Sequence, residues 1–431
     1  MNFAFRTKTT SLAWILITLS GAVPLFASSP QQKVNHPFIY KLQLADIDCW
    51  IDKSCSGLVS EYQNHSFALD LDRILSSATK SLDLAIYGLR NQDWFVERLK
   101  KLKKEKVKIR VTVDQARGAL GEWNTRENFT YPDAYKLVDA LGENKVRPDV
   151  NGNGSPRSGS IMHNKFFIID NKAVWSGSTN ISDTGTGVEY NANSSILIEA
   201  PALAKIFKSE FEQMYTERCY SSCKLQNTRQ PTLHFSDGTV TSVFFAPQDS
   251  PQITAIIPFI RKARKNVNVS IFFLTAKPIV QELILAHKRG VNIRIINDAT
   301  AARHRSSHLL TLLDAGIDIR IENWGGKMHM KTATSDGKNT LIGSMNWSVA
   351  GNSKNDESVL VIKNNKSLAS ELDEYFENLW GTLDAIQGNP YYSIPKAESF
   401  ESINSCIDGI NNDHSGGVDA AARSCQASTL F

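Results

Sequence analysis

One stretch of this chain occurs twice. His163-Asn-Lys165-Phe-Phe-Ile-Ile-Asp170 is followed by Gly177-Ser178-Thr-Asn180, and His329-Met-Lys331-Thr-Ala-Thr-Ser-Asp336 by Gly343-Ser344-Met-Asn346, with 17 residues from His to Asn in each copy. The repetition extends upstream. Ala78 to Tyr87 reads as a helix end running into a strand, and Ala263 to Phe272 repeats the pattern. A helix over Trp94 to Lys106 and a strand over Val107 to Asp114 follow in the first half, matched by Ile279 to Arg289 and Val291 to Asp298 in the second. Strands alternating with helices predict parallel β-α units, hence an α/β fold with two similar lobes.

The spacing within each copy has a geometric meaning. Positions i and i+2 of a strand point the same way, so His163 and Lys165 share a face, as do His329 and Lys331. Asp170-Asn171 and Asp336-Gly337 are hairpin-turn dipeptides that send the chain back along Ala173 to Ser176 and Thr340 to Ile342. The return brings Ser178 and Asn180 beside His163, and Ser344 and Asn346 beside His329. Asp170 and Asp336 sit at the turns, where capping is the expected role rather than proton transfer.

Each lobe thus offers an imidazole, an ammonium, a hydroxyl and a carboxamide. Lys, Ser and Asn are donors to an oxyanion, and two such sets around one centre suit a tetrahedral phosphoryl group. Cleaving a phosphodiester takes a nucleophile, a proton donor and charge stabilisation. Two histidines supply the first two near neutrality if one is neutral and the other protonated. One imidazole would attack phosphorus to form a phosphohistidine, and the other would protonate the departing oxygen and then activate water. This chemistry calls for no cofactor and no metal. A lone histidine on a strand would be an ordinary hydrogen-bonded residue, but two copies with the same Gly-Ser-x-Asn at the same offset are not coincidence.

The two motifs resemble the paired His-x-Lys-x4-Asp signatures of the phospholipase D superfamily, over about residues 60–385. The segments His163 to Ser182 and Val291 to Gly381 are most similar to the bacterial phospholipase-D-type endonuclease branch. The resemblance implies two α/β lobes, each with a central mixed sheet, meeting at a pseudo-twofold around one shared site. It implies His163 as nucleophile and His329 as acid/base, with Lys165, Lys331, Asn180 and Asn346 on the phosphate; the donor sets read above add Ser178 and Ser344 to it. Glu189 and Glu357 lie where the family places a carboxylate that orients a histidine, although they follow their histidines by 26 and 28 residues.

The motif fixes the bond and not the alcohol. Hydrolysis of a phospholipid to phosphatidic acid is the first expectation, with membrane-surface contact through an aromatic-bearing insertion (Trp123, Phe129, Tyr131). That insertion arises because 49 residues separate Asp114 from His163 but only 31 separate Asp298 from His329. It includes a Gly-rich loop, Asn151 to Ser160, expected at the substrate entrance. Endonuclease action on DNA or RNA is the alternative, favoured by Arg303, His304 and Arg305. Phosphatidyl transfer to an alcohol and phosphate binding without turnover complete the range. The lysines between Lys100 and Lys106 read as a solvated helix face. With 48 Lys plus Arg against 44 Asp plus Glu, the net charge of +4 is too small to select a polyanion.

The first residues carry Arg6 and Lys8 and no acid, followed by an apolar stretch from Leu12 to Ala27. That order predicts a signal peptide over 1–28, cleaved near Ala27 to Ser29, and a secreted or periplasmic protein; a retained membrane anchor is the rival. Export permits disulfides, expected as Cys49–Cys55, Cys219–Cys223 and Cys406–Cys425. The expected organisation is an N-terminal extension over 29–60, lobes over 61–225 and 226–385, and a disulfide-closed tail over 386–431, in a monomer. Within the tail, Asn411 to Asp419 resembles the start of a calcium loop, but Ala422 stands where a bidentate carboxylate is needed, so a loop without metal is expected.

Overall fold

The computed structural model describes residues 29–47, 66–114, 132–150, 159–187, 190–224, 230–324 and 326–386. The expected signal peptide, the Cys49–Cys55 and Cys406–Cys425 pairs, the aromatics of the insertion and the calcium-like loop lie outside these residues. Cys219 and Cys223 are joined as a disulfide, with Cα atoms 5.2 Å apart. Among the described residues no helix is long and apolar enough to cross a membrane.

Two mixed sheets carry the architecture. The first has seven strands in the order Ile39–Leu44, Ser194–Glu199, Ala173–Gly177, Phe166–Ile169, Ser81–Ile86, Lys108–Val113 and Val146–Pro148. The second has nine, in the order Gln31–Val34, Thr232–Phe235, Val240–Ala246, Glu357–Lys363, Asn339–Gly343, Lys331–Ser335, Asn266–Ile271, Asn292–Asn297 and Asp318–Ile321. In each lobe the repeated strand pairs parallel with the strand after its crossover helix and antiparallel with the strand that follows the motif histidine. The crossover helices span Asp93–Lys104 and Lys277–Lys288.

The N-terminal extension ties the lobes together. Gln31–Val34 lies parallel to Thr232–Phe235 in the second sheet, and Ile39–Leu44 lies antiparallel to Ser194–Glu199 in the first. Three hydrophobic cores follow from the layering. Each lobe has its own under the crossover helices, and a third, between the sheets, takes side chains from both. Period-2 alternation divides the labour: Phe166 and Ile168 face the shared core, while Phe167 and Ile169 face the first lobe's own. A fully buried Phe contributes about 1.5–3 kcal/mol, so the shared layer is a strong reason for the lobes to stay together.

Both motif hairpins turn on residues with positive φ: 51° and 54° at Asp170 and Asn171, 54° and 62° at Asp336 and Gly337. These match the tight hairpin turn whose twist suits the flanking strands. The two aspartates cap a neighbouring loop as expected. Asp170 accepts from the main-chain N–H of Thr79, Lys80 and Ser81 at 3.0, 2.7 and 2.8 Å. Asp336 accepts from Arg264 and Lys265 at 3.0 and 2.8 Å.

Candidate active site

The two histidines are positioned by backbone pairing between lobes. The N–H of His163 donates to the carbonyl of Asp356, and the N–H of His329 to the carbonyl of Ala192, both at 2.9 Å. Return bonds run from Asp356 N–H to Ile161 and from Ala192 N–H to Lys327. Each motif strand therefore begins with a short parallel bridge to the other lobe, Met162 with Asp356 and Met328 with Ala192. The register sets His163 against Glu357 and His329 against Asn193.

Those neighbours differ in charge. His163 Nδ1 lies 2.8 Å from Glu357 Oε2. A carboxylate only accepts, so the proton sits on Nδ1 and Nε2 carries the lone pair. His329 Nδ1 lies 2.9 Å from Asn193 Oδ1. Asn193 Nδ2 donates to Asn191 O at 3.2 Å, which fixes the amide with its oxygen toward the imidazole. His329 thus has the same tautomer, with an uncharged partner at Nδ1.

The serines behave differently from their expected role as phosphate ligands. Ser178 and Ser344 are fully buried. Ser178 Oγ donates to Asn193 Oδ1 at 2.9 Å and accepts from Ser194 N–H at 3.0 Å. Ser344 Oγ donates to Glu357 Oε2 at 2.7 Å and accepts from Ser358 N–H at 3.0 Å. Their hydroxyls are spent on holding the groups that orient the imidazoles. The preceding glycines permit this approach: a Cβ on Gly177 would lie 2.3 Å from Ser194 O, and one on Gly343 2.1 Å from Ser358 O.

Lys165 and Lys331 are buried to 1% exposure. Lys165 Nζ donates to His163 O at 2.7 Å, and Lys331 Nζ to His329 O. Each ammonium lies 5.1 Å from the centre of an aromatic ring, Tyr87 for Lys165 and Phe272 for Lys331. The same rings meet the imidazoles, Tyr87 at 5.1 Å from His163 and Phe272 at 5.3 Å from His329. The half-buried Asn180 and Asn346 both leave their carboxamide oxygens without a protein partner among the described residues.

Burial dominates the electrostatics. It pulls His163 down to about 4, against the opposing pull of Glu357, with Lys165 adding to the depression. It pulls Lys165 down to about 7 despite Glu357 and Asp114. His329 is held well below the ordinary imidazole value by burial, then by the charges of Lys331, Lys165 and His163. Burial, then the charge of Lys165, does the same to the Lys331 ammonium. A concentration of positive groups with little counter-charge awaits an anion. With a lone pair on one imidazole and room for a proton on the other, such an anion can be attacked and its leaving group protonated.

Sequence reasoning missed several residues. Glu189 lies outside the described residues, and the group found at His329 Nδ1 is Asn193. The signal was in the strands: Asn193-Ser-Ser-Ile-Leu-Ile aligns with Glu357-Ser-Val-Leu-Val-Ile. Tyr87 and Phe272 end the repeated strands at equivalent places and were equally readable. Asp298 and Glu322 are buried, and burial pushes both carboxyls up, Asp298 to about 6, with the charge of Asp298 raising Glu322 further. They sit beyond the strands beside the motif, where their charges act on the half-buried Lys327.

Comparison with known proteins agrees with this geometry. A mitochondrial cardiolipin hydrolase from Xenopus tropicalis is 28% identical over 138 residues, which cover 32% of this chain and 65% of that protein. The chain thus spans slightly less than two thirds of that relative. A phospholipase D from Rickettsia prowazekii is 27% identical over 166 residues, covering 38% of this chain and 80% of that one. The crystal structure of phosphatidylserine synthase from Haemophilus influenzae superposes with a TM-score of 0.56 at 13% identity, over 84% of this chain and 91% of that one, a likeness of fold. The family profile described as "Cardiolipin synthase, PLD-like domain" matches residues 71–215 and 256–380, one segment per lobe and more than half of the sequence. The chain therefore belongs to that family, within the phospholipase D superfamily.

Proposed function

We propose that this protein hydrolyses phosphodiester bonds of nucleic acid through a phosphohistidine on His163, with His329 as acid and then base. The observation that carries the choice of substrate is a run of rings leading away from the site. Phe272 packs against His329 at 5.3 Å, Phe273 against Phe272 at 4.5 Å, and the exposed His304 against Phe273 at 5.7 Å. Lys327 Nζ lies 5.6 Å from the centre of Phe272, and Arg303 and Arg305 flank His304. Aromatic rings interleaved with cations suit an unpaired strand, whose bases stack while its phosphates meet positive charge.

Lipid hydrolysis is the second reading, favoured by the names of the relatives. The aromatics of its own sequence feature, the insertion, lie outside the described residues. The deciding assay offers single-stranded DNA, single-stranded RNA and cardiolipin vesicles in chelator to the wild type and to His329→Ala. Cleavage of a polynucleotide that is lost in the variant supports the proposal. Phosphatidic acid release without strand cleavage transfers the site to lipid, and transfer of the phosphatidyl group to added glycerol would mark a transferase. No turnover of any substrate would leave a phosphate-binding protein. We also propose export with cleavage of the leader, on the basic-then-apolar start and the Cys219–Cys223 bond; a mature N-terminus at Met1 would refute the cleavage, and recovery of the protein in the cytoplasmic fraction would refute the export.

A further inference from the structure

The two half-sites are built on one plan and differ in the charge of the group that meets the imidazole. In each, a serine hydroxyl from Gly-Ser-x-Asn donates to a side-chain oxygen, and that oxygen meets Nδ1 of the other lobe's histidine. The chain Ser344, Glu357, His163 runs at 2.7 and 2.8 Å, and Ser178, Asn193, His329 at 2.9 and 2.9 Å. The first ends in a carboxylate oxygen and the second in an amide oxygen. An amide orients an imidazole as well as a carboxylate does, but it gives no charge to balance the imidazolium.

We propose that Asn193 is a positioning residue that holds His329 in the Nδ1–H tautomer while withholding a counterion, so that protonation of the leaving group is strong and confined to acid pH. The inference rests on the phosphodiesterase reading of the site, and not on the identity of the alcohol.

The reaction separates the two demands. His163 Nε2 gives its lone pair to phosphorus, and the P–O bond to the leaving alcohol breaks. The proton on His329 Nε2 goes to that oxygen. Water then gives a proton to His329 Nε2 as its oxygen attacks phosphorus, and the P–N bond breaks to return His163 and release the monoester. His163 becomes a phosphoimidazolium and benefits from Glu357. His329 must release its proton, so an unpaired cation is the better acid, present only where the solution is acidic enough to protonate it.

The surroundings of His329 reinforce this. Lys331 and Phe272 face it from its own lobe, Lys327 from the same segment, and Lys165 and His163 from the other lobe. All four titratable neighbours carry positive charge when protonated. The nearest acids act elsewhere: Glu357 is engaged by His163 and Ser344, and Asp298 acts on Lys331 and Lys327. Among the described residues no carboxylate pairs with His329, so the substrate's phosphate is the negative partner it meets there.

The test compares Asn193→Asp with wild type on two probes. A thymidine oligonucleotide has an alcohol leaving group that needs a proton, whereas bis(p-nitrophenyl) phosphate loses a phenolate that does not. For wild type on the oligonucleotide, kcat/KM should fall about tenfold per pH unit from below neutrality. In Asn193→Asp that fall should begin at least about one unit higher, leaving the variant about tenfold faster than wild type at pH 8. On bis(p-nitrophenyl) phosphate both proteins should show the same alkaline profile. A variant that is slower with an unmoved profile on both probes would overturn the proposal and leave Asn193 structural. An oligonucleotide left intact while bis(p-nitrophenyl) phosphate is cleaved would remove the nucleic-acid substrate only, and the same comparison then runs on cardiolipin. Absence of turnover on all three would instead sink the phosphodiesterase reading.

Discussion

The main-chain N–H of His163 donates to the carbonyl oxygen of Asp356 in the opposite lobe at 2.9 Å, so the first imidazole is registered by a residue 193 positions away. Asp356 is itself held by a buried ion cluster. Its carboxylate lies 2.9 Å from Lys224 Nζ, which also pairs with Glu210 and donates to Ala246 O at 3.0 Å, and all three charged side chains are essentially unexposed. Replacing Lys224 by Met leaves two carboxylates without a cation. Loss of one partner of a buried pair costs about 3–5 kcal/mol. Lys224→Met should lower the melting temperature by several degrees and reduce turnover through His163, and the double variant Lys224→Met/Glu210→Gln should recover part of the stability. Calorimetry on the three proteins checks this, and an unchanged melt in the single variant would contradict it.

Glu357→Gln keeps an oxygen for His163 Nδ1–H and Ser344 but removes the charge that balances the phosphoimidazolium. The rate should fall by about 100-fold or more. It should do so on bis(p-nitrophenyl) phosphate as well, because the loss lies in attack rather than in leaving-group protonation. A fall limited to substrates with alcohol leaving groups would exchange the roles of the two histidines.

Anion binding should follow the lysines. Lys165 sits at about 7 because of burial, so as pH rises through 7 it loses the charge that attracts the anion. Lys331 is likewise pushed well below the ordinary ammonium value, by burial and then by the charge of Lys165. Sulfate affinity should therefore fall as pH rises above about 7, and binding at pH 7 should take up protons. Calorimetric titration in buffers of different ionisation enthalpy reads that uptake directly. Binding with no proton exchange would mean that both ammonium groups are already charged.

Much of this site could be read from the sequence because local rules governed it. Strand periodicity put Lys165 beside His163, and Asp170-Asn171 announced its own turn. The partner of His329 could not be read by counting from the histidine, because the segment between Asn180 and Asn193 differs in length from that between Asn346 and Glu357. Only the strand that follows restores the alignment, and the contact itself crosses between lobes. The same non-locality hid the role of the N-terminal extension: Gln31–Val34 is a strand only because an edge of the second sheet accepts it. Ser178 is expected beside His163 and Ser344 beside His329, but their hydroxyls reach the partners of the opposite histidines, Asn193 at His329 and Glu357 at His163, through strands paired later in the chain.

The motif aspartates separate stability from chemistry. Asp170 is held below the ordinary carboxyl value: burial raises it, but the N–H groups of Ser81, Lys80 and Thr79 and the Thr79 hydroxyl outweigh that. A group lowered on folding contributes stability above its unfolded value and loses it as pH falls through the folded one. Asp170→Ala should therefore cost about 2 kcal/mol at neutral pH, in line with hydrogen bonds to a charged acceptor, and the deficit should shrink toward acid pH. Turnover by the folded protein should stay within a few-fold, because the carboxylate lies at the far end of the hairpin and accepts from main-chain N–H groups where the chain enters the strand Ser81–Ile86. Denaturant melts at neutral and acid pH, paired with activity at a temperature where both proteins are folded, test this. A large loss of turnover at unchanged stability would make Asp170 part of the proton transfer after all.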